Sequence, residues 1–181
     1  MPMRLTVALL VLGAALCLQA ECAPARASAA ERALVRLCPT ATVNASLIEA
    51  QARRQLLHPA LLVAVISHES RCSMARRGRL GEIGLGQILP TGSAARGFTR
   101  LELETEEGNL AATARHLANC LTLCGGFGGL SVYAGHKRCR STKYSRAVLA
   151  KFWSAFGTTK MREPRSCMLI RLTTTTSSRG K

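Results

Sequence analysis

Aromatic side chains are scarce in this 181-residue chain, which has one Trp, two Tyr and four Phe. Proteins that bind single-stranded nucleic acid or RNA commonly stack bases on aromatic side chains. So small a set argues against a nucleic-acid partner, even though 25 Lys and Arg stand against only 10 acidic residues. The net charge of +15 therefore indicates some other anionic partner, which charge alone does not identify.

The sequence also lacks any segment with the sustained apolar–polar alternation that is typical of a strand. Helix signals recur instead. Asn44 is placed to cap a helix that we expect to reach about Leu57, and Pro59 stands at the first position of the next helix. The length suits one ordinary domain with a core. We therefore predict a mostly α-helical fold.

Further helix candidates follow along the chain. Acidic residues open the longest one, at 106–123, where they complement the helix dipole. A glycine-rich break at 125–129 ends it, and a final amphipathic helix is expected at 143–156. Shorter helices are expected at 91–96 and 130–134, while 31–37 is either a short helix or an unstructured lead-in.

The one long apolar run lies at the N-terminus, from Leu5 to Leu18, and it is too short to be typical of a membrane span. It follows Arg4 and precedes small residues, which is typical of a signal peptide. We expect residues 1–29 to be this signal, with cleavage after Ala27 or Ala29. The product would be periplasmic or secreted, without a stable membrane span.

The remaining chain divides into a domain at 30–157 and a tail at 158–181. The tail is basic and rich in hydroxyl side chains, and we expect it to be disordered. Outside the signal, the chain keeps six cysteines, at Cys38, Cys72, Cys120, Cys124, Cys139 and Cys167. An even number of cysteines in an exported protein favours disulfides.

The pairing of these cysteines is left open by the sequence. A bond from Cys120 or Cys124 to Cys139, across the glycine break, is favoured over a structural zinc site. That zinc site would use His116, Cys120 and Cys124, which lie on one helical stripe. We expect no bound metal and no cofactor.

Glu69 is the strongest candidate for a catalytic residue. It ends an apolar helix that begins at Pro59, and Leu61, Val65 and Glu69 lie on one stripe of that helix. The carboxyl therefore continues an apolar face. Burial of this kind keeps a carboxyl protonated near neutral pH, as required of the general acid that breaks a glycosidic bond.

Four ordered motifs surround this residue. They are Glu69-Ser70, then Gly81-Glu82-Ile83-Gly84-Leu85-Gly86-Gln87-Ile88-Leu89-Pro90, then Asn109-Leu110, then Val132-Tyr133-Ala134-Gly135. Over about residues 44–157 the chain resembles the lytic transglycosylases of the soluble-transglycosylase type. The resemblance implies a lysozyme-like α-helical domain with a central cleft, and from the cysteines we expect disulfides to staple it.

The resemblance also implies an activity, which is the cleavage of peptidoglycan glycan strands. Glu69 would protonate the glycosidic oxygen between N-acetylmuramic acid (MurNAc) and N-acetylglucosamine (GlcNAc). It would then take the proton from the muramoyl C6 hydroxyl, which closes a 1,6-anhydro ring. Such an enzyme could open the wall locally for a secretion or conjugation assembly.

Substrate-binding roles follow from the same resemblance. They fall on Ser70, Gly84, Gly86, Gln87 and Tyr133. Gln87 would project into the cleft and bind the sugar, and Tyr133 would form a hydrogen bond near Glu69 or contact the substrate. The glycines would let the backbone approach the sugar, or simply form a turn. Asn109 is expected to be a structural cap rather than a ligand.

The chain departs from the family pattern at three positions. Gly86 stands where the family usually has Met, Ala134 where Asn is common, and Gly78 where Ser is often found. These changes leave open a wall-binding or assembly protein with little activity. Glu82 leaves open a hydrolytic muramidase, because a second carboxyl could activate water and leave a reducing end. A solvated loop residue is the more expected role of Glu82.

Overall fold

A computed structural model describes residues 27–156, and these residues form a helical fold. Its α-helices, α1 to α7, span Ala29–Leu37, Ala45–Arg54, Pro59–Glu69, Arg100–Leu103, Glu106–Leu123, Gly129–Tyr133 and Lys143–Phe156. In place of the short helix expected at 91–96 there is one 3-10 turn, Ser93–Ala95. Within 27–156 the only strand-like pairing is a pair of isolated bridges. The predicted mostly α-helical fold is confirmed.

Helix α3 is the centre of the core. Every residue from Ala60 to Ser67 is buried, and the helix packs against α1, α2 and α7. A helix that is apolar on all sides has no face to give to water, which explains its central place. Because α3 ends at Glu69, it carries that carboxyl from the core toward the surface.

The helix starts follow the sequence signals, but one helix end does not. The Asn44 side chain accepts backbone N–H groups at the start of α2, and Pro59 occupies the first turn of α3. Helix α2 ends at Arg54, short of the expected Leu57. The reason is local, since Leu56 takes a left-handed conformation with φ of 54°, which ends the helix.

Helix α1 begins with a capping box. The Ser28 Oγ accepts from the Glu31 N–H at 3.1 Å, and the Glu31 carboxylate accepts from the Ser28 N–H at 2.6 Å. Cleavage of a signal after Ala27 would keep this cap, whereas cleavage after Ala29 would remove it. The segment at 31–37 is thus helix rather than an unstructured lead-in.

Two further expectations lie outside the described residues. These are the apolar signal segment at 5–18 and the basic tail at 158–181. Within the described part, none of the helices combines the length and the apolar character needed to cross a membrane.

Two disulfides connect the helices to their loops. Cys38, just after α1, is bonded to Cys72 in the loop that follows α3, and Cys124 is bonded to Cys139 across the glycine break. The Cys124–Cys139 bond was one of the two pairings that the sequence favoured, and it removes Cys124 from any zinc site. Cys120 is buried and has no cysteine partner among the described residues.

Candidate active site

The carboxyl of Glu69 meets a tyrosine that lies far away in the chain. The Tyr144 hydroxyl, on the second residue of α7, donates a hydrogen bond to Glu69 Oε1. Burial raises the pKa of Glu69, the charge of Glu82 adds to this rise, and the hydrogen bond from Tyr144 opposes it. The net pKa is raised, so the carboxyl keeps its proton to a higher pH than an exposed glutamate does.

Glu69 faces a cavity of about 280 Å³. The other residues that line it are His68, Ser70, Arg71 and Arg76. Both arginines are exposed, and they bring two fixed positive charges to the wall of the cavity. The cavity therefore offers a proton donor beside groups that attract an anionic ligand.

Two tyrosines stack beside the cavity. The Tyr133 and Tyr144 rings are nearly parallel, at 17°, with centroids 6.4 Å apart, and the His68 ring meets Tyr144 edge-on. The Tyr133 hydroxyl donates to the backbone oxygen of Gly86 at 2.9 Å. The sequence assigned to Tyr133 a hydrogen bond near Glu69, whereas the tyrosine that bonds Glu69 is Tyr144. Burial raises the pKa of both tyrosines, so both stay neutral donors.

Sequence reasoning missed Tyr144, although a signal for it was present. Tyr144, Val148 and Phe152 follow one another at intervals of four on α7, and the latter two are fully buried. A tyrosine on such a stripe needs a partner for its hydroxyl. The spacing of these three residues indicates only a face that packs in the core. No neighbouring residue indicates that the partner of the hydroxyl is a carboxyl.

Asn109, on helix α5, holds the turn at residues 83–88, which we call the glycine turn. Its side chain is fully buried, and Nδ2 donates to the backbone oxygens of Ile83 and Leu103, both at 2.9 Å. Its Oδ1 accepts from the Gly86 N–H at 3.0 Å. The role is structural, as expected: Thr105 caps the start of α5, while Asn109 satisfies the carbonyl of Leu103 at the end of α4.

The two glycines assigned to the substrate are needed for packing. A Cβ on Gly84 would lie 2.6 Å from Asn109 Nδ2, and one on Gly86 would lie 1.9 Å from Thr113 Oγ1. Gly84 also has φ of 68°, which favours glycine. The structure thus gives both residues the turn-forming role. The space into which a methionine at position 86 would begin to grow is filled by Thr113.

Gln87 folds back onto its own turn. It has a left-handed φ of 51°, and its Nε2 donates to the backbone oxygen of Gly84 at 2.9 Å and to that of Arg76 at 3.4 Å. We expected the side chain to project into the cleft, but here the amide nitrogen fastens the turn to Arg76 in the loop that follows α3. A sugar could accept a hydrogen bond from that nitrogen only by replacing these contacts.

Glu82 closes the loop beside the cavity. Its Oε2 accepts from the Leu80 N–H at 2.9 Å, while its backbone oxygen accepts from the Gly78 N–H at 2.9 Å. A Cβ on Gly78 would lie 2.1 Å from that same Oε2. The carboxylate therefore occupies the space of the serine that the family often has. This arrangement suits the loop role that the sequence favoured.

Ser70 fastens the end of α3. Its buried hydroxyl donates to the Ile66 oxygen at 3.0 Å and accepts from the Ser73 N–H at 3.2 Å. The residue borders the cavity, but both of these contacts are internal. Its clearest role is to hold the loop that begins directly after Glu69.

Comparison with known proteins adds no assignment. No protein-family model and no curated protein matches this chain. Function must therefore be inferred from the residues around Glu69. They supply one protonatable carboxyl, a neutral phenol bonded to it and two guanidinium groups, and among residues 27–156 no group of three or more His, Cys, Asp or Glu side chains is placed to hold a metal.

Proposed function

We propose that this protein is an exported lytic transglycosylase. It cleaves the β-1,4 bond between MurNAc and GlcNAc in peptidoglycan and leaves 1,6-anhydro-MurNAc ends. The observation that carries the proposal is the setting of Glu69, a carboxyl with a raised pKa and a tyrosine donor that faces a cavity. General acid catalysis of glycoside cleavage needs a group of this kind.

The Glu69–Tyr144 pair acts in both steps of the proposed reaction. Glu69 first gives its proton to the glycosidic oxygen as the bond to the muramoyl anomeric carbon breaks, and it becomes a carboxylate. The Tyr144 hydroxyl stabilises that new charge, because hydrogen bonds to ionised acceptors are stronger than those to neutral ones. The carboxylate then takes the C6 hydroxyl proton as that oxygen bonds to the anomeric carbon.

The order of elements supports a lysozyme-like fold. A buried helix ends in the acid, a loop and a glycine turn follow, and a long helix anchors the turn through Asn109.

The two disulfides support a periplasmic or secreted location, because such bonds persist in oxidising compartments. Peptidoglycan suits this location because it lies outside the cytoplasm. Its carboxylates also suit a cavity lined by two arginines.

The test is mass spectrometry of the fragments released from purified sacculi. Muropeptides with 1,6-anhydro ends support the proposal, and reducing muramoyl ends assign the protein to the hydrolytic muramidases instead. The matched control is Glu69→Gln, which keeps the size and polarity of the side chain but cannot give a proton. Release no greater than this control would leave a wall-binding or assembly protein.

A further inference from the structure

A second cationic feature lies outside the Glu69 cavity. Residues 136–140, which we call the cationic loop, line a cavity of about 220 Å³ with the side chains of His136, Lys137, Arg138 and Arg140. All four side chains are exposed. Three of them carry a permanent positive charge at neutral pH, so the cavity is suited to an anionic group.

Hydrogen bonds with Ser131 hold the backbone of the cationic loop in place. The buried Ser131 accepts from the His136 N–H through its backbone oxygen at 3.0 Å. Its hydroxyl donates to the Arg138 oxygen at 2.6 Å and accepts from the Arg140 N–H at 3.2 Å. Cys139 is also bonded to the end of α5. A fixed backbone reduces the ordering cost of binding.

The charges of the cationic loop have no carboxylate partner in the described part of the chain. The single salt bridge there joins Arg100 to Glu104. Between residues 108 and 156 the chain has seven Lys and Arg and no acidic residue at all. Like charges held together without counter-charges favour an external anion.

The position of the cationic loop indicates which molecule supplies that anion. The loop connects α6, which ends at Tyr133, to α7, whose second residue is Tyr144. Arg140 precedes Tyr144 by four residues, a stretch that spans at most about 14 Å. A stem peptide of about four residues, when extended, covers a similar distance. Because the Tyr144 hydroxyl bonds Glu69, a stem peptide on a strand bound at Glu69 has about the length needed to reach the loop.

We propose that the cationic loop binds the stem-peptide carboxylates of the glycan strand that occupies the Glu69 cavity. This inference rests on the proposed function and adds a specificity to it, namely a preference for strands that still carry their peptides. The phosphate groups of an anionic polymer could satisfy the same charges. The loop leads directly to Tyr144, which bonds Glu69, and this favours carboxylates on the substrate itself.

The test measures binding in the Glu69→Gln background, where cleavage is blocked. The loop variant carries Lys137→Gln, Arg138→Gln and Arg140→Gln. The control removes the same charge from exposed positions on α1 and α2, with Arg36→Gln, Arg53→Gln and Arg54→Gln. Co-sedimentation with intact sacculi at about 50 mM salt should show the loop variant about tenfold weaker and the control within about twofold of the parent.

Two further arms identify the ligand. On glycan strands freed of peptides by an amidase, the parent and the loop variant should bind equally. An equal loss in the control would show a general charge effect and overturn the inference. So would a loss that persists on peptide-free strands, or one that affects only soluble polyphosphate. Binding in this background does not depend on the product test, so either proposal can fail without the other.

Discussion

The Tyr144 hydroxyl and the Glu69 carboxyl form a hydrogen bond although 75 positions separate them in the chain. The contact joins the last described helix to the end of the central one, and it lies in a partly buried setting. It lowers the pKa of Glu69 while burial raises it, so the acid strength of the site depends on the balance of the two. That balance can be altered by one atom.

Replacing Tyr144 by Phe removes the hydroxyl and keeps the ring. Without its donor the Glu69 carboxylate is less stable, so the pKa of Glu69 should rise further, and the alkaline limb of the kcat/KM profile should move to higher pH. Turnover should fall by about ten- to a hundredfold, the usual worth of a hydrogen bond to a charged group. Tyr133→Phe is the matched control, since its hydroxyl bonds Gly86. A limb that moves equally in both variants would contradict the assignment.

Glu69→Gln should abolish turnover and also change stability with pH. A carboxyl whose pKa is raised in the folded state stabilises the fold below its unfolded pKa, near 4.5, and loses that contribution as pH rises through the folded value. Glutamine does not titrate. Relative to the parent, the variant should therefore gain unfolding free energy from about pH 4 to pH 7. Urea unfolding at both values checks this, and a difference that shrinks toward neutral pH would argue against a raised pKa.

Glu82→Gln tests whether a second carboxylate activates water. The side chain bonds the Leu80 N–H, a contact that glutamine can keep through its oxygen. If Glu82 acts only in the loop, the released fragments should remain anhydro products and the rate should change less than about tenfold. Removing a nearby negative charge should also lower the pKa of Glu69 and move the alkaline limb to lower pH. Reducing ends in the parent that vanish in the variant would identify a hydrolase.

Gly86→Ala should destabilise the fold by about 1–3 kcal/mol, because its Cβ would overlap Thr113. Thr113→Gly removes all three atoms that this Cβ would meet, so the added cost of Gly86→Ala should shrink in that background. Denaturant unfolding of the two single variants and the double variant gives the coupling. Strict additivity would mean that the turn relaxes away from α5 instead.

The Cys38–Cys72 bond closes a sequence separation of 34 residues and fixes the loop that follows α3 and Glu69. Replacing both cysteines by serine should lower the unfolding free energy by about 3–4 kcal/mol. It should also lower kcat, because Cys72 lies three residues after Glu69. The Cys124–Cys139 pair, separated by 15, serves as the comparison, with a similar stability loss and a smaller effect on kcat. Equal losses of kcat in the two variants would remove the special role of the first bond.

The helices were predictable because their signals are local. Asn44 and Pro59 mark helix starts through their own chemistry, and a glycine-rich segment ends the long helix. The pairing of Cys38 with Cys72 and the contact of Tyr144 with Glu69 depend instead on how α1 and α7 pack on α3. No spacing rule carries that information. The sequence could therefore name residues that lie in one region of the structure. It could not identify the distant residues that they contact.

The Gln87 conformation shows the same limit at a smaller scale. Its left-handed φ and its bonds to Gly84 and Arg76 arise because the turn reverses direction within a few residues. A motif match names the residue type at that position but not the direction of its side chain. Sequence reasoning located the turn correctly and misjudged where its amide would point.

Two of the three hydrogen bonds of Asn109, those to Gly86 and Ile83, join the glycine turn to helix α5. In a chimera that received a turn with Met at position 86, the new side chain would meet Thr113 on the recipient helix. Such a graft would have to include the first turns of α5 as well. The unit that can be exchanged, whether by recombination or by a protein engineer, is therefore the pair of segments that Asn109 joins.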